Sequence, residues 1–316
     1  MERIATVVYH PANAHAIADA IRSDRRLEAL DPSPVVERAA LGDALRDAAL
    51  LVTTNGVPSD AFARTDALRW IHVAAAGVDG IVNTTIPSGV RVTRTRGTFG
   101  ARMTEYVCAH LLALAQDVHG FRAQQHARVW RNRPVEHLRG KVAGVMGVGN
   151  IGAVVAQRLA QFGMTVRGLA RHAGHEPAVV QWFRPDERLA FASGLDVIVV
   201  TLPLTEATRG LIDRAFLAAL PPTAWLVNVG RGPVIDEGAL VDALRDGHLG
   251  AAVLDVFESE PLATESPLWG LPNAIITPHQ AGDAIVSEIV EAIAGNLPAW
   301  REGGALHGEV DLTRAY

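Results

Sequence analysis

Cysteine occurs once in the 316 residues, at Cys108, which excludes an intrachain disulfide framework and any multi-cysteine zinc or iron–sulfur site. Lysine also occurs once, at Lys141, so Schiff-base chemistry, a P-loop and a lysine general base would all have to use that residue. There is no basic surplus either. The 29 Lys and Arg stand against 34 Asp and Glu, a formal net charge of −5, and nothing is left over to hold nucleic acid or an anionic membrane. Long hydrophobic runs are missing as well: Leu195–Leu204 has Asp196 inside it and falls far short of the ~20 residues that span a bilayer. At the start, Glu2 and Arg3 precede only Ile4 to Tyr9 before His10 and Pro11. A signal peptide needs an apolar stretch of about 7–15 residues, so this segment reads as a first strand and the chain is expected to be cytoplasmic.

Hydrophobic residues make up 49% and charged residues 20%, enough to build a real core, and the length is about that of two domains. Through the first ~95 residues short β-rich runs alternate with amphipathic stretches. Ala5–Tyr9, Leu50–Thr53 and Trp70–Val73 read as strands. Ala14–Arg22, Arg38–Asp47 and Asp60–Arg64 read as helices, and Pro32–Pro34 as a loop. A long helix is predicted from Thr104 to about Arg131, on Tyr106, His110, Leu111, Leu114 and Val118, with a polar and basic second half. A second, clearer βαβ series runs from Pro134 to about Pro278. The tail, Ala284 to Trp300, carries Ile285, Ile289, Ile293 and Leu297 at i, i+4 spacing and predicts one more packed helix.

The strongest local signal is KVAGVMGVGNIGAVVAQRLAQFGMTVRGLARH. Gly147, Gly149 and Gly152 form G-x-G-x-x-G, which alone is as easily an ordinary turn. Here it follows a strand, Lys141–Met146, and opens a helix on Val155, Leu159 and Phe162. Gly163 stops that helix before a second strand, Thr165–Leu169. This is the unit in which glycines allow close approach to a pyrophosphate, with the helix N–H groups of Asn150 and Ile151 supplying the positive end. An enzyme selecting NAD places an acid at the end of the second strand; Ala170, Arg171 and His172 stand there, and no acid follows until Glu176. Arg171 can bind a 2′-phosphate through charge-assisted hydrogen bonds of about 1.5–3 kcal/mol, although a solvated surface arginine is the bland alternative. NADP(H) is therefore favoured, with NAD(H) as the alternative.

Three further segments end parallel strands with functional side chains. Leu226–Val229 leads into Gly230–Arg231–Gly232, Val253–Phe257 into Glu260, and Ala274–Thr277 into Pro278–His279. Ligands bind beyond the carboxyl ends of such strands. Reduction of a 2-oxo acid wants these groups. A planar, always charged guanidinium suits the carboxylate, an imidazole can deliver the proton, and a carboxylate beside the imidazole favours its protonated form. Each has a bland reading: surface ion pair for Arg231, N-cap for Glu260, satisfied core group for His279. Three together behind a dinucleotide fingerprint outweigh those readings. His172-x-x-His175 has no third ligand at a useful spacing, so no metal site is expected.

With these motifs in order (HLRGKVAGVMGVGNIG, PLTEATRGLID, LVNVGRGPVIDEGAL, LDVFESEPL, LPNAIITPHQAG), the chain resembles the D-isomer-specific 2-hydroxyacid dehydrogenase family, near its glyoxylate/hydroxypyruvate reductase branch. The resemblance implies an α/β fold of two doubly wound parallel-sheet domains with a cleft between them. The Rossmann coenzyme domain would be residues 99–283, and the flavodoxin-like substrate domain residues 1–98 and 284–316. It implies Arg231 as carboxylate and carbonyl binder, His279 as acid/base and Glu260 as its partner. Ala75, Ala76 and Gly77 would cradle the substrate carboxylate through backbone N–H groups; the family usually has serine where Ala75 stands. Leu202, Pro203 and Thr208 would line the adenosine and pyrophosphate path, with Val229 and Gly282 also on the coenzyme. Asp255 would lie near the nicotinamide amide and Met103 against its ring. Glu105 and Tyr106 are read as support for the interdomain helix.

The same resemblance implies a homodimer through the coenzyme domain, with Gly120–Arg131 in the contact, and D-2-hydroxy acids as products. Arg94, Arg96, Arg102, Trp130 and Trp300 are candidates to reach the cleft or to fix domains and subunits. Two alternatives stand beside this reading. One is an NAD-preferring dehydrogenase of another acid such as phosphoglycerate, against which Ala170 weighs. The other, of a different class, is a nucleotide-sensing corepressor, a protein-binding module.

Overall fold

A computed structural model describes residues 3–312 apart from 55, 64, 83, 98 and 283. Residues 1–99 with 283–316 form one unit, and residues 100–282 a second.

The first unit is built on a five-stranded, wholly parallel sheet: β1 (Ile4–Tyr9), β2 (Leu30–Val35), β3 (Leu50–Thr53), β4 (Trp70–Val73) and β5 (Arg91–Arg94). Its order, β2-β1-β3-β4-β5, is that of flavodoxin-like doubly wound sheets. Every residue of β3 and β4 is buried, as expected where helices cover both faces. Because side chains alternate along a strand, Leu51 and Ile71 pack with Leu41, Leu45 and Phe62, while Leu50, Val52 and Trp70 pack with Ile17 and Ile21 on the opposite face. The helix Val286–Arg301 returns to that second face through Ile289, Ile293 and Leu297, and Trp300 lies 5.5 Å from Trp70 between ring centroids. Ile285 is not part of the stripe; it is the exposed N-cap residue.

The sequence reading misplaces several elements here. Pro32–Pro34 is not a loop but the middle of β2. Ile4 and His10 N–H donate to the carbonyls of Ala29 and Val35, so the odd-numbered residues of β2 face β1. Pro32 and Pro34 fall on the open edge, where a missing N–H costs nothing. Arg38–Asp47 shrinks to the 3₁₀ turn Arg38–Ala40 and the helix Leu41–Ala44, because its fully buried residues are just Leu41 and Leu45, one turn apart. In place of the helix Asp60–Arg64 stands the 3₁₀ turn Ser59–Phe62; Arg64 itself lies outside the described residues. His72 is fully buried between the hydroxyls of Thr93 (2.9 Å) and Thr95 (3.1 Å), and burial pulls it down to about 3, so the ring is neutral.

The second unit carries a seven-stranded parallel sheet: β6 (Val142–Met146), β7 (Thr165–Leu169), β8 (Val179–Phe183), β9 (Val197–Val200), β10 (Trp225–Asn228), β11 (Ala251–Leu254) and β12 (Ala274–Ile276). The order β12-β11-β10-β9-β6-β7-β8 reverses direction between β6 and β9, the switch point at which Rossmann sheets bind dinucleotides. Its core gathers Phe191, Leu195, Ile198, Val200, Phe216 and Leu226. The predicted long helix is two helices, Phe99–Ala115 and Val118–Ala127. Asp117 breaks it: its φ of 47° is left-handed, and its side chain accepts from Gly120 N–H and from Arg133. Among the described residues no helix is long and apolar enough to cross a membrane.

Candidate active site

The ends of β10, β11 and β12 lie side by side because these strands are neighbours in the sheet. Beyond β10 the chain turns sharply, and the buried Asn228 holds the turn. Its Oδ1 accepts from Gly230 N–H (3.0 Å) and its Nδ2 donates to the Arg231 carbonyl (3.1 Å). A Cβ on Gly232 would lie 1.8 Å from the Phe257 carbonyl carbon. The glycine after Arg231 is thus required by the backbone approach of the β11 loop. Arg231 itself donates from Nη1 to the Gly230 carbonyl at 2.7 Å.

Beyond β12, His279 sits at φ 51°, and its N–H donates to the carbonyl of Asp255 (2.9 Å). The side chain turns toward the loop after β11, where Nδ1 meets Glu260 Oε2 at 2.7 Å; Glu260 Oε1 in turn accepts from Phe257 N–H (3.0 Å). Hydrogen bonding to Glu260 is the main reason the imidazole is shifted above the ordinary histidine value. Partial burial and the charge of Arg231 oppose the shift, while the charges of Glu260 and Asp255 add to it. For Glu260, burial pushes upward but is outweighed by His279, the Phe257 N–H and the charge of Arg231, so it is held below the ordinary value. Arg231 is therefore near enough for its charge to act on both partners. With Nδ1 occupied, Nε2 is the ring position left for a substrate.

Asp255 is buried to 1% exposure, and three of its acceptor positions are used by the chain itself. Thr277 Oγ1 donates at 2.5 Å and Gln280 N–H at 3.0 Å to Oδ1, and Ala281 N–H at 2.9 Å to Oδ2. Its evident work is to hold the loop that carries His279. Asn228 and Thr277 hold these loops through side-chain hydrogen bonds, and the sequence reading missed both. The signal available was a polar residue closing a buried apolar run, in LVN and AIIT.

At the switch point each glycine has its own reason. Gly147 sits at φ 96°, which only glycine adopts freely. A Cβ on Gly152 would lie 2.1 Å from the Gly147 carbonyl oxygen, so the helix Asn150–Gln161 could not pack on the turn. At Gly149 a Cβ would meet open space, as a site that a pyrophosphate approaches requires. That helix has no side-chain cap and no acid in its first turn, so its N-terminal amides suit an anion. The residues present therefore fit a dinucleotide. Arg171 and His172 are exposed just past β7. Thr208 Oγ1 spends its hydrogen bonds inside its own turn, on Pro203 O (2.7 Å) and Thr205 N–H (2.8 Å). Leu202 and Gly147 pack closely, and Val229 is buried, its N–H bonded to Val200 O (3.1 Å). Met103 packs its sulfur against Gly282, 3.0 Å from where a Cβ would stand.

In the first unit Ala75, Ala76 and Gly77 form a half-buried bend after β4. Arg94 Nη1 donates to the Ala76 carbonyl at 2.7 Å, and among the described residues the three N–H groups make no hydrogen bond. Of the remaining candidates, Trp300 belongs to the first unit's core and Trp130 is fully exposed.

Comparison with known proteins shows the family. Residues 108–281 match the model of the D-isomer specific 2-hydroxyacid dehydrogenase NAD binding domain. The glyoxylate/hydroxypyruvate reductase A of Serratia proteamaculans (strain 568) is 32% identical over 266 residues, 82% of this chain and 85% of that protein. The crystal structure of a D-isomer specific 2-hydroxyacid dehydrogenase family protein from Aeromonas salmonicida subsp. salmonicida A449 has a TM-score of 0.91 at 32% identity, covering 99% of this chain and 100% of the other. A D-isomer specific 2-hydroxyacid dehydrogenase from Xanthobacter autotrophicus Py2, in complex with NADPH and MES, has a TM-score of 0.85 at 32% identity, covering 98% and 99%. The chain belongs to the D-isomer specific 2-hydroxyacid dehydrogenase family and is an NAD(P)-dependent oxidoreductase.

Proposed function

We propose that this dehydrogenase reduces small 2-oxo acids of the glyoxylate/hydroxypyruvate type to D-2-hydroxy acids, with NADPH as its preferred donor and NADH as the lesser one. The observation that carries the reading is the 2.7 Å pair of His279 and Glu260, with the charge of Arg231 acting on both. The dinucleotide, held at Gly147, Gly149, Asn150, Ile151 and Gly152, supplies the hydride when bound. Arg231 binds the substrate carboxylate and polarises the carbonyl. In the first unit, the N–H groups of Ala75, Ala76 and Gly77, which make no hydrogen bond among the described residues, are the candidates to bind a carboxylate. His279, its protonated form favoured by Glu260, gives its Nε2 proton to the oxygen on which negative charge develops. The similar reductase of Serratia supports the substrate class, and the NADPH-bound Xanthobacter structure supports the donor. Arg171 past β7, with no acid following it in sequence until Glu176, points the same way. The reading extends to a cytoplasmic homodimer that binds no nucleic acid. The contact would lie on Gly120–Arg131, where Phe121 and Val129 are exposed and Trp130 is 100% exposed.

Mixing the protein with NADPH and a panel of 2-oxo acids, and following the reduced nicotinamide by absorbance, tests the reaction. Glyoxylate and hydroxypyruvate should be turned over, and His279→Ala should lose at least about 100-fold in kcat. A near-normal rate in that variant would remove His279 from its role. Arg171→Ala should raise KM for NADPH about 10-fold or more and leave KM for NADH almost unchanged. Equal effects on both would refute recognition of the 2′-phosphate.

The pH dependence follows from the same pair. Stabilisation from a raised histidine is full below its ordinary value of 6.5 and is lost as pH climbs through the raised value. Stabilisation from the lowered glutamate is present above its ordinary 4.5 and is lost as pH falls through the lowered value. Glu260→Gln should therefore melt lower than wild type chiefly between these limits, by no more than about 1 kcal/mol because both groups are partly exposed. Its alkaline limb for reduction should also move to lower pH; an unmoved limb would mean that Glu260 does not tune His279. Trp130→Glu should turn the dimer into monomer in sedimentation velocity. A dimer that survives the change would place the contact elsewhere.

A further inference from the structure

Tyr106, read from the sequence as helix support, has a more specific contact. Its hydroxyl lies 2.7 Å from Thr277 Oγ1, and Thr277 Oγ1 lies 2.5 Å from Asp255 Oδ1. The proton directions are forced. Thr277 has one proton and gives it to the carboxylate, so Thr277 Oγ1 can only accept from Tyr106. Burial pushes the Tyr106 phenol up to about 12, so it keeps the proton that it donates. The carboxylate at the far end also receives Gln280 and Ala281 N–H, the two amides that follow His279. Thr277 and these amides bracket His279 on both sides, and His279 itself is left-handed. The loop is thus anchored, through hydroxyls, to the helix Phe99–Ala115.

We propose that Tyr106 and Thr277 are positioning residues, forming a hydroxyl relay onto Asp255 that fixes the 277–281 loop in the conformation where the imidazole of His279 meets Glu260. The proposal rests on the reading of His279 as acid/base, but the relay is a property of the chain alone. The charged groups acting on His279 are Glu260 and Asp255, which raise it, and Arg231, which lowers it. The relay's other end faces His110, whose ring lies 4.4 Å from that of Tyr106. His110 is itself lowered, by burial first and by His119 next. Without the Thr277 hydroxyl the loop samples other conformations, the contact with Glu260 is populated less, and the main upward influence on His279 weakens.

Thr277→Val keeps the side chain's shape and removes the hydroxyl; Thr277→Ser keeps the hydroxyl. The imidazole of His279 is titrated by NMR in the full-length protein without coenzyme, its resonance identified by its loss in His279→Gln. In Thr277→Val the midpoint should fall by about one pH unit, a tenfold change in proton affinity, while Thr277→Ser should titrate as wild type. In parallel, NADPH-linked glyoxylate reduction should lose about tenfold in kcat in Thr277→Val, with KM for NADPH held within about twofold. Tyr106→Phe should give a smaller change in the same direction, since Thr277 can still donate to Asp255. A Thr277→Val protein that titrates like wild type overturns the relay. So does an equal shift in Thr277→Ser, which would assign the effect to packing. If the wild type reduces no 2-oxo acid, the proposed function falls, and the titration still decides the relay.

Discussion

A buried carboxylate on three donors governs the edge of the second unit that carries Arg231, Glu260 and His279. Taking a carboxylate out of water is costly unless its oxygens are met by donors, and Asp255 at 1% exposure is met by one hydroxyl and two backbone amides. Those amides point at it only if the chain bends back after Pro278, which leaves His279 at φ 51°. A left-handed non-glycine residue costs about 1–2 kcal/mol. Each hydrogen bond to a charged group is worth about 1.5–3 kcal/mol, so three of them outweigh the strain. The position of the imidazole is thus a consequence of solvating Asp255 from within.

The rest of the site is set by sheet order. Because β10, β11 and β12 are adjacent, Arg231, Glu260 and His279 need no long-range folding device beyond parallel pairing to share one edge. Close backbone packing does the fine adjustment. The loop after β10 lies so near Phe257 that only glycine fits at Gly232, and Asn228 fixes the turn that presents Arg231. At the switch point Gly152 plays the same part, letting the helix Asn150–Gln161 lie on the turn at Gly147.

What could be read from the sequence is what local chemistry determines. Central strands such as LLVT and WIHV are apolar because both faces are covered, and their limits emerge within a residue or so. The glycine fingerprint and the Arg, Glu and His at strand ends stand out because their neighbours in sequence explain them. Pro32–Pro34 misled because proline's turn preference is local, while its place on an open sheet edge is a tertiary fact. Asp117 misled because the helical pattern of apolar residues continues through it, and only its contacts with Gly120 and Arg133 show the break. The link from Tyr106 to Thr277 joins residues 171 positions apart, which no spacing can reveal.

The electrostatics of the triad also explain why Arg231 and His279 can share a site on the proposed reading. Arg231 lowers the proton affinity of His279, and Glu260 and Asp255 raise it by more. An anionic substrate seated on the guanidinium would offset that positive charge and so remove most of the part of the opposition that comes from Arg231, leaving that of burial. The imidazolium would then be favoured further when a 2-oxo acid is bound, at the moment when its proton is needed. By linkage, a protonated His279 must strengthen binding of that anion by the same factor. A lysine in place of Arg231 would carry the same charge without the planar fork that holds a carboxylate and a carbonyl together, so the coupling depends on the geometry of the guanidinium as much as on its charge.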